Sequence, residues 1–210
     1  VGFNVSNAGA AITQGIEVDW RFAITDSWML TGSLGWLDFE FKDYENGLCT
    51  ASDKLAMAND LEPIACAPKS TPILGSVVEY DYNYRDMKGE TNQYVSKYSG
   101  SISLQYERFF NPGLLLRSSV DANFNTSYHP TQNLDDELKQ DGNQVYNFRI
   151  GISDIDGIWE LALLGRNITD EKIISYANDV PLSTSLFGTK TSYGFLQRTK
   201  SWALQANYNF

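Results

Sequence analysis

The sequence lacks any apolar run approaching the ~20 residues of a transmembrane helix. Segments such as Trp159–Leu164 (WELALL) are far too short. Helical membrane proteins are thereby excluded, but barrels are not, because their spans alternate and escape hydropathy plots. Positive charge is also scarce: 16 Lys and Arg stand against 26 Asp and Glu, for a net charge of -10. That argues against a nucleic-acid partner, which requires a basic footprint. One histidine and two cysteines do not make a zinc ligand set. No phosphate-cradling loop or dinucleotide fingerprint occurs, so no cofactor is expected. The first residues, VGFNVSNAGA, contain no Met, no basic n-region and no apolar h-region, and the chain is expected to begin inside a longer one. What is abundant is aromatic: 12 Tyr, 11 Phe and 5 Trp among 210 residues.

Much of the chain alternates with the period of a two-faced strand. Ile12, Ile16, Val18, Trp20, Phe22 and Ile24 share one parity, and Thr13, Gly15, Glu17, Asp19 and Arg21 the other. Leu30, Gly32, Leu34 and Trp36 continue as Leu37, Phe39 and Phe41, so the phase slips at Trp36–Leu37. A bulge there, or exit from the environment that imposed the pattern, accounts for the slip. Similar alternation runs through 102–107, 114–125, 145–153 and 159–166. The last stretch, TKSWALQANYNF, places Trp202, Leu204, Ala206, Tyr208 and Phe210 on one parity. The total is about seven strands of barrel-spanning length.

The connections come in two kinds. Thr25–Ser27, Asn111–Gly113 and Asp154–Gly157 have tight-turn chemistry, whereas 45–92, 129–143 and 169–198 are long and polar. The two kinds alternate, which puts all tight turns at one end of the sheet. A soluble sandwich has no reason to sort its connections so; a transmembrane barrel has short periplasmic turns and long extracellular loops.

Two further features favour lipid over a protein core on the apolar face. The polar parity is charged deep in the strands, at Glu17, Asp19, Arg21, Glu107, Arg117, Asp121, Arg149, Glu160 and Arg166. Opposite signs on neighbouring strands point to ladders along a polar lumen. Aromatics cluster near strand ends, at Trp20, Phe22, Trp28, Phe109, Phe110, Trp159, Trp202, Tyr208 and Phe210. Rings there suit interfacial girdles. Single-chain outer-membrane barrels begin at about 8 strands, so further strands are expected upstream. The alternative is a soluble β-sheet binding module, or a smaller passive or adhesive barrel.

Cys49 and Cys66 lie in one polar loop and are expected to form a disulfide, worth roughly 3 kcal/mol for a loop of this length. Such a bond persists in an oxidising compartment. The alternative is two unrelated free thiols. His129, near Ser127, Asp135 and Asp136, makes a hydrolase grouping conceivable, but a solvated loop histidine is the expectation, and no enzyme is expected.

Several stretches resemble the C-terminal part of a TonB-dependent outer-membrane receptor. They are Asn7–Glu17 (NAGAAITQGIE), Leu30–Phe39 (LTGSLGWLDF), Asp86–Tyr106, Gly165–Glu171 (GRNITDE) and the terminal Phe210. In Asp86–Tyr106, Val95–Ser96 stand where the family usually has Ala-Pro. The resemblance covers nearly the whole chain, apart from the Cys49–Cys66 loop and the tip near Pro181–Lys190.

The resemblance implies an all-β chain of antiparallel transmembrane strands, with residues 1–210 forming the C-terminal portion of a barrel of about 22 strands. It implies the outer membrane of a Gram-negative bacterium and import of a scarce bulky small-molecule ligand of the siderophore-iron, cobalamin or oligosaccharide class. Implied partners are outer-membrane lipid, the inner-membrane TonB complex and the barrel-assembly machinery. The last of these would read Trp202, Leu204, Ala206, Tyr208 and Phe210 by strand addition. Ligand contacts in such receptors imply candidates here among loop aromatics and lumen charges: Tyr80, Tyr82, Tyr84, Arg85, Arg117, Tyr128, Arg149, Arg166, Tyr176 and Phe187. For the lumen charges, wall salt bridges are the favoured alternative.

Overall fold

A computed structural model describes residues 9–59, 61, 63, 66, 69–72, 78–81, 84–111 and 113–210. Asn7 and Ala8 of the first family-like stretch, and candidate Tyr82, lie outside the described residues. The elements in chain order are β1 (Ala10–Ala23), β2 (Trp28–Asp43), α1 (Ala51–Ala58), β3 (Lys69–Pro72), β4 (Val78–Asp81), β5 (Tyr98–Asn111), β6 (Leu114–Asn125), β7 (Asn143–Asp154), β8 (Trp159–Arg166), β9 (Ile174–Asp179), α2 (Ser183–Phe187), β10 (Ser192–Leu196) and β11 (Ser201–Tyr208).

Seven of the strands form one sheet in the order β1-β2-β5-β6-β7-β8-β11, every pair antiparallel. The order follows the chain, so the sheet is a meander. The tight connections β1–β2, β5–β6 and β7–β8 lie at one end, and the connections at 44–97, 126–142 and 167–200 at the other. The sorting expected from the sequence is therefore observed. The short hairpins β3–β4 and β9–β10 and both helices lie within the long loops and were not anticipated.

Cross-strand register unites the apolar parities into a continuous face. Val18, Leu34 and Gly100 stand side by side, as do Leu30, Leu104, Val120 and Phe148, and Ile150, Leu163 and Leu204. The face lies bare: Ile16, Phe22, Val18, Val120, Leu204 and Phe210 are among its exposed members. A soluble monomer rarely exposes an apolar patch beyond a few hundred Å². Aromatics bracket this face at two levels. Trp28 packs on Tyr106 at 4.6 Å near the turns, where Trp159 also pairs with Tyr208. Trp36 pairs with Tyr98 near the loops, and Phe148 packs edge-on to Trp202 at 5.2 Å. Three strand glycines on this face, Gly32, Gly100 and Gly165, each lie beneath a neighbouring ring: Trp20, Phe124 and Phe148. A side chain there would collide with the ring, which explains glycine inside otherwise good strands.

The phase slip in β2 is not a bulge. Pairing of β1 with β2 runs without a shift from Ala11↔Phe41 to Ala23↔Met29. What ends at Trp36↔Tyr98 is the pairing with β5. Beyond it the two faces exchange character: Asp38, Glu40 and Lys42 take the formerly apolar side, and Phe39 and Phe41 take the polar side. Phe41 is buried with Met87 and Leu134, against Phe39 and Tyr44. The strand has left the apolar belt and entered the packed base of the loops.

Candidate functional site

Two regions carry polar structure that can meet a ligand: the polar face of the sheet and the loop assembly at one end of it. Both follow from local sequence.

On the polar face, alternation sets short polar residues in ladders. Ser33 Oγ lies 2.8 Å from Ser101 Oγ, and Asp19, Ser33, Ser101 and Asn123 are neighbours in register. Nearer the turns the ladder becomes ionic. Arg117 Nε donates to Glu107 at 2.8 Å, and Arg149 to Glu160 at 2.6 Å, with Asn207 Nδ2 donating to the second Glu160 oxygen at 3.1 Å. Opposite charges on adjacent strands thus meet across the wall. Arg21, Gln105, Glu107, Arg117, Asp121 and Arg149 line a groove of about 450 Å³ there. Arg166 makes no ion pair among the described residues and lines a second groove with Arg198 and Gln205. Of the lumen candidates, Arg117 and Arg149 are engaged in wall pairs and Arg166 is not.

The three long loops fold together into a cap. In the first, Thr50 caps α1: its hydroxyl accepts from the Asp53 N–H at 3.1 Å and donates to the Asp53 carboxylate at 2.8 Å. Cys49 and Cys66 are joined in a disulfide, Cα atoms 5.8 Å apart, and both are buried with Met57. The second loop supplies buried Tyr128, Thr131, Asn133, Leu134 and Asp135, and the third supplies Ile173, Ala177 and Ser183.

Named bonds cross between the loops. Arg85 donates to the Asn133 carbonyl at 2.7 Å and pairs with Glu90 at 3.0 Å. Asn133 Nδ2 donates to Asp179 at 3.1 Å. Tyr128 Oη donates to the Ile174 carbonyl at 3.1 Å, while Ile174 N–H donates to Gln140 at 2.8 Å. Ser52 Oγ donates to Glu137, and Lys190 pairs with the same carboxylate.

These contacts place the loop candidates. Arg85 and Tyr128 hold loop to loop. Tyr80 lies in β4 and Tyr84 follows it, half-buried. Tyr176 is partly exposed and clusters with Tyr193 and Phe195, ring centroids 6.1 and 6.3 Å away. Phe187 projects from α2 at 75% exposure. Sequence reasoning missed Tyr193 and Phe195, although their alternation in SYGF marks a strand. It also missed Asn133, a polar loop residue with no sequence signal, which links Arg85 to Asp179. Tyr94, likewise missed, lines the upper groove of the polar face and donates from Oη to the Ser175 carbonyl at 3.2 Å, so the third loop reaches over that face.

His129 Nε2 lies 3.0 Å from Asp136 Oδ1, and this bond holds the Asp136 carboxyl below the usual range. Ser127 has no hydrogen bond to His129, so no triad is assembled there.

Sorted loops, a two-faced meander and double aromatic girdles define a class: the wall of a transmembrane β-barrel. No protein-family model matches the chain, and no curated protein does. Solved structures share its fold. The siderophore receptor PiuA from Acinetobacter baumannii superposes with a TM-score of 0.55 at 14% identity, over 94% of this chain and 22% of that one. The ferric yersiniabactin uptake receptor FyuA from Yersinia pestis superposes with a TM-score of 0.65 at 11% identity, over 97% of this chain and 24% of that one. The chain thus has the barrel-wall fold of these receptors and spans about a quarter of their length.

Proposed function

We propose that residues 1–210 are the C-terminal portion of the barrel of a TonB-dependent receptor in a Gram-negative outer membrane. The receptor imports a scarce bulky ligand, with the siderophore-iron class first and the cobalamin and oligosaccharide classes behind it. One observation carries this reading: a bare apolar face continuous over seven strands, backed by a polar face under a packed loop cap. Such a sheet has no stable place in water, whereas lipid satisfies one side and a wet lumen the other. The likeness to two receptors named for siderophores supports the ligand class.

In this reading β1 and β11 pair with further strands to close the barrel, since open edges do not occur in hydrocarbon. The parity of Trp202, Leu204, Ala206, Tyr208 and Phe210 is the surface read by the assembly machinery. Ligand approaches from the cap side, past Tyr84, Tyr176 and Phe187, towards Arg166 on the lumen wall. Energy comes from the inner-membrane TonB complex acting on an N-terminal region.

The test is a gel of isolated outer membranes, boiled and unboiled, probed with an antibody to Gln197–Phe210. The expected result is a band well above 23.6 kDa that shifts on boiling. A soluble species of the chain's own mass, unchanged by boiling, overturns the reading. Ligand uptake that persists in cells lacking the TonB complex removes the energy coupling alone.

A further inference from the structure

Outward surfaces of the sheet and the edges at β1 and β11 would meet lipid or other strands in a closed barrel, so exposure there marks no new site. The junction inside the cap is different, because every element forming it belongs to this chain. There α1, the 126–142 loop and the β9–α2 segment bring carboxylates together. Asp135 is 4% exposed; its Oδ1 accepts from the Glu137 N–H at 2.9 Å, and its Oδ2 is buried with no hydrogen-bond partner among the described residues. Asp179 accepts from Asn133 at 3.1 Å and from Ser192 at 3.3 Å. Asp53 is 2% exposed and accepts from Thr50.

The charged groups facing Asp135 are Lys190, Asp136, Asp53 and His129, and those facing Asp179 are Lys54 and Asp135. Lys190 is already shared with Glu137, and His129 is bonded to Asp136. Oδ2 of Asp135 is left buried without a donor of its own among the described residues. A buried carboxylate without matching charge or hydrogen bonds is costly, and neutralisation by a proton is the ordinary resolution.

We propose that this junction is a proton-operated latch: a proton held on buried Asp135, at the junction that Asp179 also enters, locks the three loops together, and its loss to solvent loosens the cap over the polar face. Oδ2 of Asp135, which has no donor, is the atom suited to carry it. Burial is the main cause that pushes both carboxyls above the usual range; Lys190 beside Asp135 and Lys54 beside Asp179 oppose it, and neighbouring carboxylates add to it. In an opened cap both return towards ordinary carboxylate values near 4. The closed cap then binds more protons than the open one, so closure is strongest below that ordinary value and weakens as pH rises through the raised values. Asp136 works in the opposite sense. Its carboxyl is lowered by His129, so its contribution is present above the ordinary value and fades only in stronger acid.

The test is hydrogen–deuterium exchange of the full-length receptor in detergent from pH 4.5 to 8, corrected for intrinsic exchange. The segments followed are Tyr128–Gln140 and Ile174–Asp179. Wild type is expected to lose protection in these segments as pH rises, by up to about tenfold per pH unit for one linked proton, while β5 and β6 stay unchanged. Asp135→Asn is expected to flatten the dependence and keep the cap protected at pH 8; Asp179→Asn should reduce it likewise, which covers the case of one variant failing to assemble. Equal slopes in wild type and both variants, or a flat wild-type profile, overturn the latch.

Discussion

Individual residues here are chosen by what stands beside them in the next strand. Gly32 is an instance: the Trp20 indole lies over it. Gly32→Val is expected to displace that ring at a cost of roughly 1–3 kcal/mol, as overpacking does, with a shift in tryptophan emission as the readout; Gly35→Ala, beside a roomier site, should leave emission unchanged. Cys49 and Cys66 act differently, by limiting the open chain. Their sequence separation of 17 leads to an expected loss of roughly 3 kcal/mol of cap stability in Cys66→Ser. Exchange in α1 against exchange in β6 measures it, and only α1 is expected to respond.

At the scale of elements, the strands express the alternation, and β11 offers the sharpest contrast. Leu204 pairs with Leu163 at mid-strand on the bare face, and Gln205 pairs with Ala162 on the polar face. Leu204→Arg is expected to cost about 2–4 kcal/mol if that face meets the bilayer midplane, and Gln205→Arg little. Denaturant unfolding of each variant in lipid vesicles measures the difference; equal effects would mean that the two faces are not distinguished by lipid. Adjacent residues of one strand serve as mutual controls.

The strands were legible in the sequence because period-two patterning is local and repeats through every one of them. The loops were not. The burial of Leu134 and Asn133 depends on Met87, Phe41 and Asp179, which approach only after the sheet has aligned the loops. Even the slip at Trp36–Leu37, visible in sequence, could not choose between a bulge and an exit. The answer depends on where β5 stops pairing, which is non-local.

At the scale of the whole molecule the belt between the girdles sets a thickness. Trp28 and Trp36 stand on the same face of β2, about 27 Å apart at ~3.4 Å per residue. At a tilt of ~40° that span projects to about 20 Å along the bilayer normal, a little less than the ~25 Å apolar band of outer-membrane barrels. Above Trp36 the outward side turns to Asp38, Glu40 and Lys42, and Glu40 and Lys42 form an ion pair. That charge cannot be drawn into hydrocarbon at small cost, so the belt has a hard upper limit on this side of the barrel. Mismatch costs fractions of a kcal/mol per Å, and thicker bilayers would have to thin around these strands. The intact barrel is therefore expected to be most stable in short-chain vesicles of about 12 to 14 acyl carbons and to lose stability towards about 18. Heat-modifiability on gels across a chain-length series measures this. A stability maximum at the longest chains would mean that the girdle at Trp36 and Tyr98 lies inside the hydrocarbon and that the boundary falls above Lys42.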